Sequence, residues 1–282
     1  MTDVSKAVLI TGCSTGIGHA TALRLQRAGH KVYATARKPE TLDDLKSAGC
    51  TALALDVNDE PSMQSAVRFV EEREGAVGVL INNAGYSQSG ALETLPLERV
   101  RAQFETNVFG LLRLSQLVLP GMRRQRYGRI VNVGSVAGKL TFPGGGAYHA
   151  AKHAVEALSD ALRWEVAGFG VEVVLIQPGF IRTSFSEAAQ REMVATRPGD
   201  AYAGFNAAVE KATKEVYEKP PWSWFGGEAD SVARAIERAI TARRPKTRYK
   251  VTPSAHMLLA SRALMSDRLW DLFLRTNLPA PK

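Results

Sequence analysis

Short apolar runs alternate along the chain with longer stretches in which apolar residues recur every three or four positions. The short runs predict buried strands, and the longer stretches predict amphipathic helices. Alternation of this kind is typical of an α/β fold, a doubly wound parallel sheet with helices on both faces. About seven strands are predicted, near residues 6–11, 31–36, 51–55, 77–82, 129–135, 171–177 and 248–252.

Two long helices are predicted at 98–125 and 147–169, and the chain becomes less regular from residue 184 to residue 227. A long segment of this kind is typical of a lid over a substrate site. Its aromatic side chains could line an apolar pocket, or they could pack the lid onto the body. These residues are Phe185, Tyr202, Phe205, Tyr217, Trp222, Trp224 and Phe225.

We assign residues 1–254 to a single domain and residues 255–282 to a C-terminal helical extension. The apolar residues between 255 and 274 predict a helical segment. This extension could cap a pocket, cover a neighbouring subunit or rest weakly on a membrane surface. Packing against its own body is the simplest expectation.

The composition is that of a globular protein. Apolar residues make up 45% of the 282 residues, which suits one α/β domain with an appendage. No apolar run reaches the roughly eighteen residues that a membrane span needs, and the N-terminus does not resemble a signal peptide. Two cysteines provide no disulfide framework, so we expect a cytoplasmic protein. The five histidines show no metal-ligand spacing, and we expect no metal site.

The net charge is +8, from 36 basic and 28 acidic residues. A basic balance can indicate nucleic-acid binding, but the basic residues do not form one stripe. One group flanks the turn before the fifth strand and another flanks the seventh, and both resemble solvated connections. We therefore expect no nucleic-acid partner. The two groups are Arg123, Arg124, Arg126 and Arg129, and Arg243, Arg244, Lys246, Arg248 and Lys250.

A glycine cluster follows the first predicted strand directly. Residues 12–18, the glycine loop, read Gly-Cys-Ser-Thr-Gly-Ile-Gly, and a helix that ends near Gly29 is predicted next. Such a loop forms a phosphate cradle, because glycines admit a pyrophosphate close to the backbone and the helix dipole favours negative charge. The spacing G-x-x-x-G-x-G differs from the usual G-x-G-x-x-G. Its position nevertheless predicts a dinucleotide site in a Rossmann-type sheet.

The end of the second strand is where such folds distinguish NAD from NADP. The chain has no carboxylate there, but Ala36 followed by Arg37 and Lys38. A guanidinium can pair with a 2′-phosphate, and Ser14 could add a hydroxyl, so we predict NADP(H) over NAD(H). Arg37 and Lys38 could also be a solvated loop. Asp56, after the third strand, could bind the adenine amino group or cap the next helix.

A tyrosine and a lysine four residues apart are the main candidates for chemistry. In a helix Tyr148 and Lys152 share one face, and Ser135 lies thirteen residues upstream. An ammonium beside a phenol would lower the pKa of the phenol from about 10 towards the range of a proton-transfer catalyst. The serine hydroxyl could hold a carbonyl oxygen next to that phenol. Two histidines nearby, His149 and His153, are expected to serve packing or the surface.

These motifs resemble those of the short-chain dehydrogenase/reductase family, in the family's order, from about residue 6 to residue 183. The nearest resemblance is to the 17-beta-hydroxysteroid and retinol dehydrogenase branch, through residues 11–18, residues 32–37 and the C-terminal extension. It implies a lipophilic alcohol or ketone as substrate. The further matching motifs are Asn82-Asn83-Ala84-Gly85, Thr106-Asn107-Val108 and Pro178-Gly179-Phe180-Ile181-Arg182-Thr183.

The resemblance implies a role for each matching residue. Tyr148 would be the general acid/base, Lys152 would lower its pKa and hold the nicotinamide ribose, and Ser135 would bind the substrate oxygen. Asn107 would hold a water behind Lys152 in a proton relay. The implied cofactor contacts are Gly12, Ser14, Thr15, Gly16, Ile17, Gly18, Arg37, Asp56, Val57, Asn83, Ala84, Gly85, Tyr148, Lys152, Pro178, Gly179, Ile181 and Thr183.

The combined pattern predicts an NADP(H)-dependent oxidoreductase that interconverts a ketone or aldehyde and an alcohol. A 3-oxoacyl-thioester reductase of lipid synthesis is an alternative, because members of that class share the same four catalytic residues. The long lid and the extension argue against it. A non-catalytic redox sensor that binds dinucleotide is an alternative of another class. In this family the two long helices commonly pack against a partner subunit, so we expect a homodimer or homotetramer.

Overall fold

Seven parallel strands form the central sheet, in the order β3-β2-β1-β4-β5-β6-β9. The structure is a computed structural model that describes residues 4–183, 200–220 and 222–277. The Rossmann-type doubly wound sheet of the sequence prediction is confirmed, with its switch in winding direction between β1 and β4. The strands are β1 (Val8–Ile10), β2 (Val32–Ala36), β3 (Thr51–Ala54), β4 (Val79–Asn82), β5 (Gly128–Val133), β6 (Val171–Pro178) and β9 (Arg248–Val251).

A second, two-stranded sheet was not predicted. It pairs β7 (Ile181–Arg182) with β8 (Gly227–Glu228) in parallel. Each strand has only two residues, too few to show a period in the sequence. The pairing joins the two ends of the predicted lid segment to each other beside the carboxyl end of β6.

Ten α-helices are present in the described residues, and those that pack on the central sheet cover both of its faces. They are α1 (Gly16–Arg27), α2 (Asp43–Ser47), α3 (Glu60–Glu74), α4 (Leu97–Phe104), α5 (Gly110–Gln125), α6 (Gly146–Val166), α7 (Ala203–Glu218), α8 (Ala229–Thr241), α9 (Pro253–Leu264) and α10 (Asp267–Asn277).

The sheet buries a layer of apolar side chains on each face, because successive strand residues point to opposite sides. In β1, Val8 and Ile10 pack into one layer with α1 and α8, whereas Leu9 packs into the other with α3 and α5. The two layers fix the sheet between the helices. The loops at the carboxyl ends of the strands are therefore carried on a rigid frame.

The predicted helix at 98–125 is interrupted. A π-helical turn at Glu105–Phe109 separates α4 from α5. Such turns are frequent at functional sites, and this one contains Asn107. The sequence does not reveal it, because a single wide turn hardly changes the apolar period of the helix.

Most of the described lid is more regular than predicted. Residues 203–218 form the four-turn helix α7, and residues 184–199, with Phe185, lie outside the described residues. The buried side chain of Asn206 anchors α7, because its Oδ1 accepts a hydrogen bond from the backbone N–H of Ala91 at 3.1 Å.

The C-terminal extension packs against its own body, as the simplest expectation had it. It consists of two helices, α9 and α10, rather than one segment. Leu258 and Trp270 pack on Val136 and Leu140, just after Ser135 in the chain. Leu264, Leu269 and Leu272 remain exposed, and contact with a membrane surface stays a prediction.

Arg129 corrects one expectation about the basic residues. It was expected to be solvated, but it is buried. Its guanidinium donates to the carbonyl oxygens of Ala239 and Ala242 at the end of α8 and pairs with Glu172 at 3.1 Å. A cation is favourable at the C-terminus of a helix. Arg248 likewise forms ion pairs, with Glu156 and Asp160.

Candidate active site

The carboxyl ends of the strands border a cavity of about 1100 Å³. Ligands of open parallel sheets bind at this edge, near the switch in winding direction. Eighteen of the twenty predicted site residues line the cavity, and Gly18 and Asn107 lie just behind its wall. The lining residues are Gly12, Ser14, Thr15, Gly16, Ile17, Arg37, Asp56, Val57, Asn83, Ala84, Gly85, Ser135, Tyr148, Lys152, Pro178, Gly179, Ile181 and Thr183.

The glycine loop is shaped for a close ligand. Gly12 and Gly16 have φ angles of 70° and 62°, which a residue with a Cβ rarely adopts. A Cβ on Gly18 would collide with the carbonyl oxygen of Gly12. The loop therefore packs tightly on the first turn of α1. The N-terminus of this helix borders the cavity, because Gly16 and Ile17 line it. This cradle suits the pyrophosphate of a dinucleotide.

Asn83 supports the glycine loop from below. Its Nδ2 donates to the carbonyl oxygens of Thr11 and Gly12, at 2.8 and 3.0 Å. The hydroxyl of Thr11 in turn accepts the backbone N–H groups of Asn83 and Ala84. The amide of Asn83 thus holds the loop, although the residue also lines the cavity.

Arg37 follows β2 directly, is exposed and lines the cavity. Asp56, two residues after β3, lines the same cavity. The carboxylate Oδ1 of Asp56 accepts the backbone N–H of Asn58 at 3.0 Å. Asp59, not Asp56, is the N-cap residue of α3, so the capping alternative for Asp56 is wrong. Its carboxylate braces the turn that faces the cavity.

Tyr148, Ser135 and Lys152 meet on one wall of the cavity. Burial raises the pKa of Tyr148 above its usual value, and a hydrogen bond with Ser135 partly opposes that shift. Ser135 Oγ also accepts the backbone N–H of Ala137 at 3.1 Å. The phenol therefore carries its proton at neutral pH, beside a hydroxyl that is held in place.

Burial is the main influence on the pKa of Tyr148 in this structure, and a lowering of that pKa by Lys152 stays a prediction. The Nζ of Lys152 lies 5.7 Å from the centre of the Tyr148 ring and donates to the carbonyl oxygen of Val133 at 2.9 Å. Burial also lowers the pKa of Lys152 to about 8. The cause is desolvation, because burial disfavours the charged ammonium.

Asn107 is buried in the π-helical turn. Its Oδ1 accepts the backbone N–H of Tyr86 at 3.1 Å, and its Nδ2 donates to the carbonyl oxygen of Tyr86 at 2.8 Å. The side chain thus fixes the segment after β4. Both polar atoms of the side chain are therefore occupied, and the water relay behind Lys152 stays a prediction.

His149 packs in the interior of the fold, and His153 lies on its surface. His149 is buried, and its Nδ1 lies 2.7 Å from the carbonyl oxygen of Leu140. It holds the segment between Ser135 and Tyr148, whereas His153 is exposed. Packing and surface roles were the expectation for this pair. The described residues contain no cluster of metal-ligating side chains.

The side of the cavity beyond Tyr148 is mostly apolar. Sequence reasoning did not single out these residues, although those of α7 recur at helical spacing and could have been found as a stripe. Capping of a pocket was one of the alternatives for the C-terminal extension, and the structure brings its residues Leu258, Phe273 and Leu274 to this wall. The apolar lining comprises Val136, Phe142, Phe180, Val209, Ala212, Val216, Leu258, Phe273 and Leu274.

Comparison with known proteins agrees with this architecture. A family model described as short chain dehydrogenase matches residues 6–194. The chain belongs to the short-chain dehydrogenase family. This makes it an oxidoreductase of the short-chain dehydrogenase/reductase type, with a nicotinamide dinucleotide site in a Rossmann-type sheet.

Two curated members of the short-chain dehydrogenase family illustrate the likeness. The chain is 35% identical to the NADPH-dependent 3-dehydrocapnine reductase of Ornithobacterium rhinotracheale, across 93% of this chain and 94% of that protein. It is 32% identical to human retinol dehydrogenase 5, across 97% of this chain and 89% of that protein. The resemblance to the retinol dehydrogenase branch fits the second.

A solved short-chain dehydrogenase from Streptomyces avermitilis has the same fold. The structures superpose with a TM-score of 0.80 at 33% identity, across 97% of this chain and 96% of that one. No helix in residues 4–183, 200–220 and 222–277 is long and apolar enough to cross a membrane.

Proposed function

We propose that this protein is an NADP(H)-dependent oxidoreductase that interconverts a lipophilic ketone or aldehyde and its alcohol. The observation that carries the proposal is the position of Tyr148 and Ser135. They lie in one cavity between the glycine loop and an apolar wall. A polar reacting centre thus joins a dinucleotide site to a site for an apolar substrate.

The protonation state of Tyr148 favours reduction. A bound nicotinamide supplies or accepts the hydride. The buried phenol of Tyr148 keeps its proton at neutral pH, so it can donate that proton to a carbonyl oxygen that gains negative charge. Ser135 would orient the same oxygen by a hydrogen bond, and Lys152 would hold the ribose hydroxyls beside it.

The preference for NADP(H) rests on Arg37. An exposed guanidinium at the end of β2, with no acidic residue beside it in the chain, suits a 2′-phosphate and leaves the ribose hydroxyls of NAD without a carboxylate partner. The name of the 3-dehydrocapnine reductase states dependence on NADPH, which supports the same choice.

The apolar walls of the cavity favour a lipophilic substrate. Side chains from α7, α9 and α10 surround the space beyond Tyr148 with apolar surface. Apolar walls favour a hydrocarbon body, because its burial contributes about 25 cal/mol per Å². Retinol, in the name of a human relative, is a molecule of this kind.

We also propose that the protein forms a homo-oligomer and is located in the cytoplasm. Trp164 on α6 is 82% exposed, and Phe109, between α4 and α5, is 51% exposed. Large exposed aromatic side chains are typical of protein interfaces, so we infer a homodimer or homotetramer through these helices. Cys13 and Cys50 are buried and unpaired, which fits a reducing cytoplasm.

The test is NADPH oxidation with a panel of steroid, retinoid, long-chain ketone and acetoacetyl-thioester substrates, with NADH in parallel. Turnover of a lipophilic ketone with NADPH supports the proposal. Preference for the thioester would identify a 3-oxoacyl-thioester reductase instead. Binding of NADPH without turnover of any substrate would favour the redox sensor.

A further inference from the structure

Tyr217 lies on the cavity-facing side of the lid helix α7. Its ring packs edge-on against Phe180, with ring centroids 6.0 Å apart and planes at 77°. Both residues line the cavity. The ring of Tyr217 is therefore part of the wall that a substrate would touch.

The support of Tyr217 is rigid. The backbone N–H of Phe180 donates to Ser254 Oγ at 3.2 Å, and its carbonyl oxygen accepts the N–H of Gly227 at 2.9 Å. Phe180 lies two residues after Pro178, the last residue of β6. The partner ring of Tyr217 is thus fixed to the central sheet, and a rigid support suits a binding side chain.

Tyr217 shares the cavity with Tyr148 and Ser135, and its ring partner Phe180 lies just beyond the end of β6. Burial raises the pKa of Tyr217 to about 12. The two phenols line the same cavity, and a charge on Tyr217 would raise the pKa of Tyr148. Within the described part of the chain, no side chain or backbone group is hydrogen-bonded to Tyr217. A phenol in an apolar wall is therefore available to a ligand.

We propose that Tyr217 determines specificity by binding a second polar group of the substrate, next to the carbonyl that Tyr148 and Ser135 hold. The substrate class is a long-chain ketone with a hydroxyl, amino or oxo group one or two carbons from the reacting carbonyl. Two phenols fix two neighbouring polar atoms, and the apolar wall takes the chain. This inference rests on the proposed function and deepens it.

The chemistry of the site explains why the second group matters. A hydrogen-bonding site discriminates strongly against an analogue that lacks the matching group, whereas an apolar pocket discriminates weakly. Without the hydroxyl of Tyr217, the apolar wall beside it would select mainly for hydrophobicity and size. With it, the orientation of the ketone relative to the cofactor is defined at two points rather than one.

The test compares a long-chain methyl ketone with its alpha-hydroxy counterpart, using NADPH. Tyr217→Phe keeps the ring and removes the hydroxyl. We expect kcat/KM for the hydroxy ketone to fall roughly tenfold or more, as for loss of one buried hydrogen bond, and kcat/KM for the plain ketone to stay within about twofold. Equal effects on the two ketones would overturn the role of Tyr217.

Two controls make the result specific. Tyr202→Phe makes the same substitution at the start of α7, where the tyrosine hydroxyl donates to Glu93 and does not line the cavity. This variant should leave kcat/KM for both ketones unchanged. Tyr217→His retains a hydrogen-bond donor and should recover part of the preference. If the recovery is absent while Tyr217→Phe binds NADPH normally, hydrogen bonding is not the mechanism.

A binding measurement separates this inference from the proposed function. In the presence of NADP⁺, the diol product should raise the melting temperature of the wild type more than that of Tyr217→Phe, even without turnover. Wild-type protein that reduces neither ketone would contradict the proposed function. Wild-type protein that reduces both ketones equally well, with the variant unchanged, contradicts only the role of Tyr217.

Discussion

The ammonium of Lys152 donates a hydrogen bond to the carbonyl oxygen of Val133, at 2.9 Å. Val133 is the last residue of β5, two positions before Ser135. The bond holds the lysine at the carboxyl edge of the sheet and out of water. This position suits a cofactor site. It also buries the positive charge of Lys152, which the folded protein solvates poorly.

Replacement of Lys152 by methionine should therefore stabilise the protein while it removes activity. The pKa of Lys152 is about 8 when folded and about 10.4 when unfolded. Below pH 8 both states are protonated, and the folded state bears the full cost of the buried charge. We expect Lys152→Met to raise the free energy of unfolding by roughly 2 kcal/mol at pH 7.

The pH dependence distinguishes this effect from a general gain in packing. Between pH 8 and about 10 the unfolded state holds a proton that the folded state has lost, so wild-type stability rises with pH. The advantage of Lys152→Met should shrink over that interval in urea unfolding without cofactor. Lys211→Met, at an exposed position of α7, is the control, and a constant difference at all pH values would contradict the prediction.

Tyr148→Phe removes the proton donor and leaves the ring in place. We expect kcat to fall by at least about a hundredfold, in line with the loss of a general acid. The affinity for NADPH, measured by fluorescence titration, should change little, because the glycine loop and Arg37 remain intact. Unchanged turnover would show that Tyr148 is not the acid.

Arg37→Ala should weaken NADPH much more than NADH. A charge-assisted hydrogen bond is worth about 1.5–3 kcal/mol, so KM for NADPH should rise roughly tenfold or more, with a small change for NADH. Arg244→Ala, in the exposed loop at the opposite edge of the sheet, is the matched control. An equal rise for the two cofactors would exclude contact between Arg37 and the 2′-phosphate.

Gly18→Ala tests the close packing of the glycine loop. The added Cβ would meet the carbonyl oxygen of Gly12 and the amide of Asn83, so the loop must move. We expect at least a tenfold loss of NADPH affinity and a lower melting temperature. Gly204→Ala in α7, where an added Cβ has no neighbour within 4 Å, should be neutral or slightly stabilising. If both variants bind NADPH alike, the packing argument fails.

Trp164→Glu tests the proposed subunit interface. A charge placed within an apolar contact should lower the mass measured by light scattering to that of a smaller assembly or a monomer. Trp224 is also exposed, at 73%, but lies outside the two long helices, and Trp224→Glu should leave the mass unchanged. A monomeric wild type, or the same mass for all three proteins, would refute this interface.

Much of this protein follows from its sequence because the signals are local. Strands such as Val8–Ile10 are short apolar runs between turns, and buried parallel strands have that pattern. The glycine loop, Arg37, Ser135 and Tyr148 each follow a strand or begin a helix. Parallel strands bring their carboxyl ends to one edge, so the order of the motifs alone predicts a common site.

The tertiary structure decided what depends on contacts between distant residues. Burial raises the pKa of Tyr148 and lowers that of Lys152, and neither shift could be read from the spacing of the two residues. The approach of Tyr217 to Tyr148 joins residues 69 positions apart and leaves no local pattern. The same is true of Arg129, whose partners lie at the end of α8. Desolvation and long-range packing are sums over neighbours that only the folded chain provides.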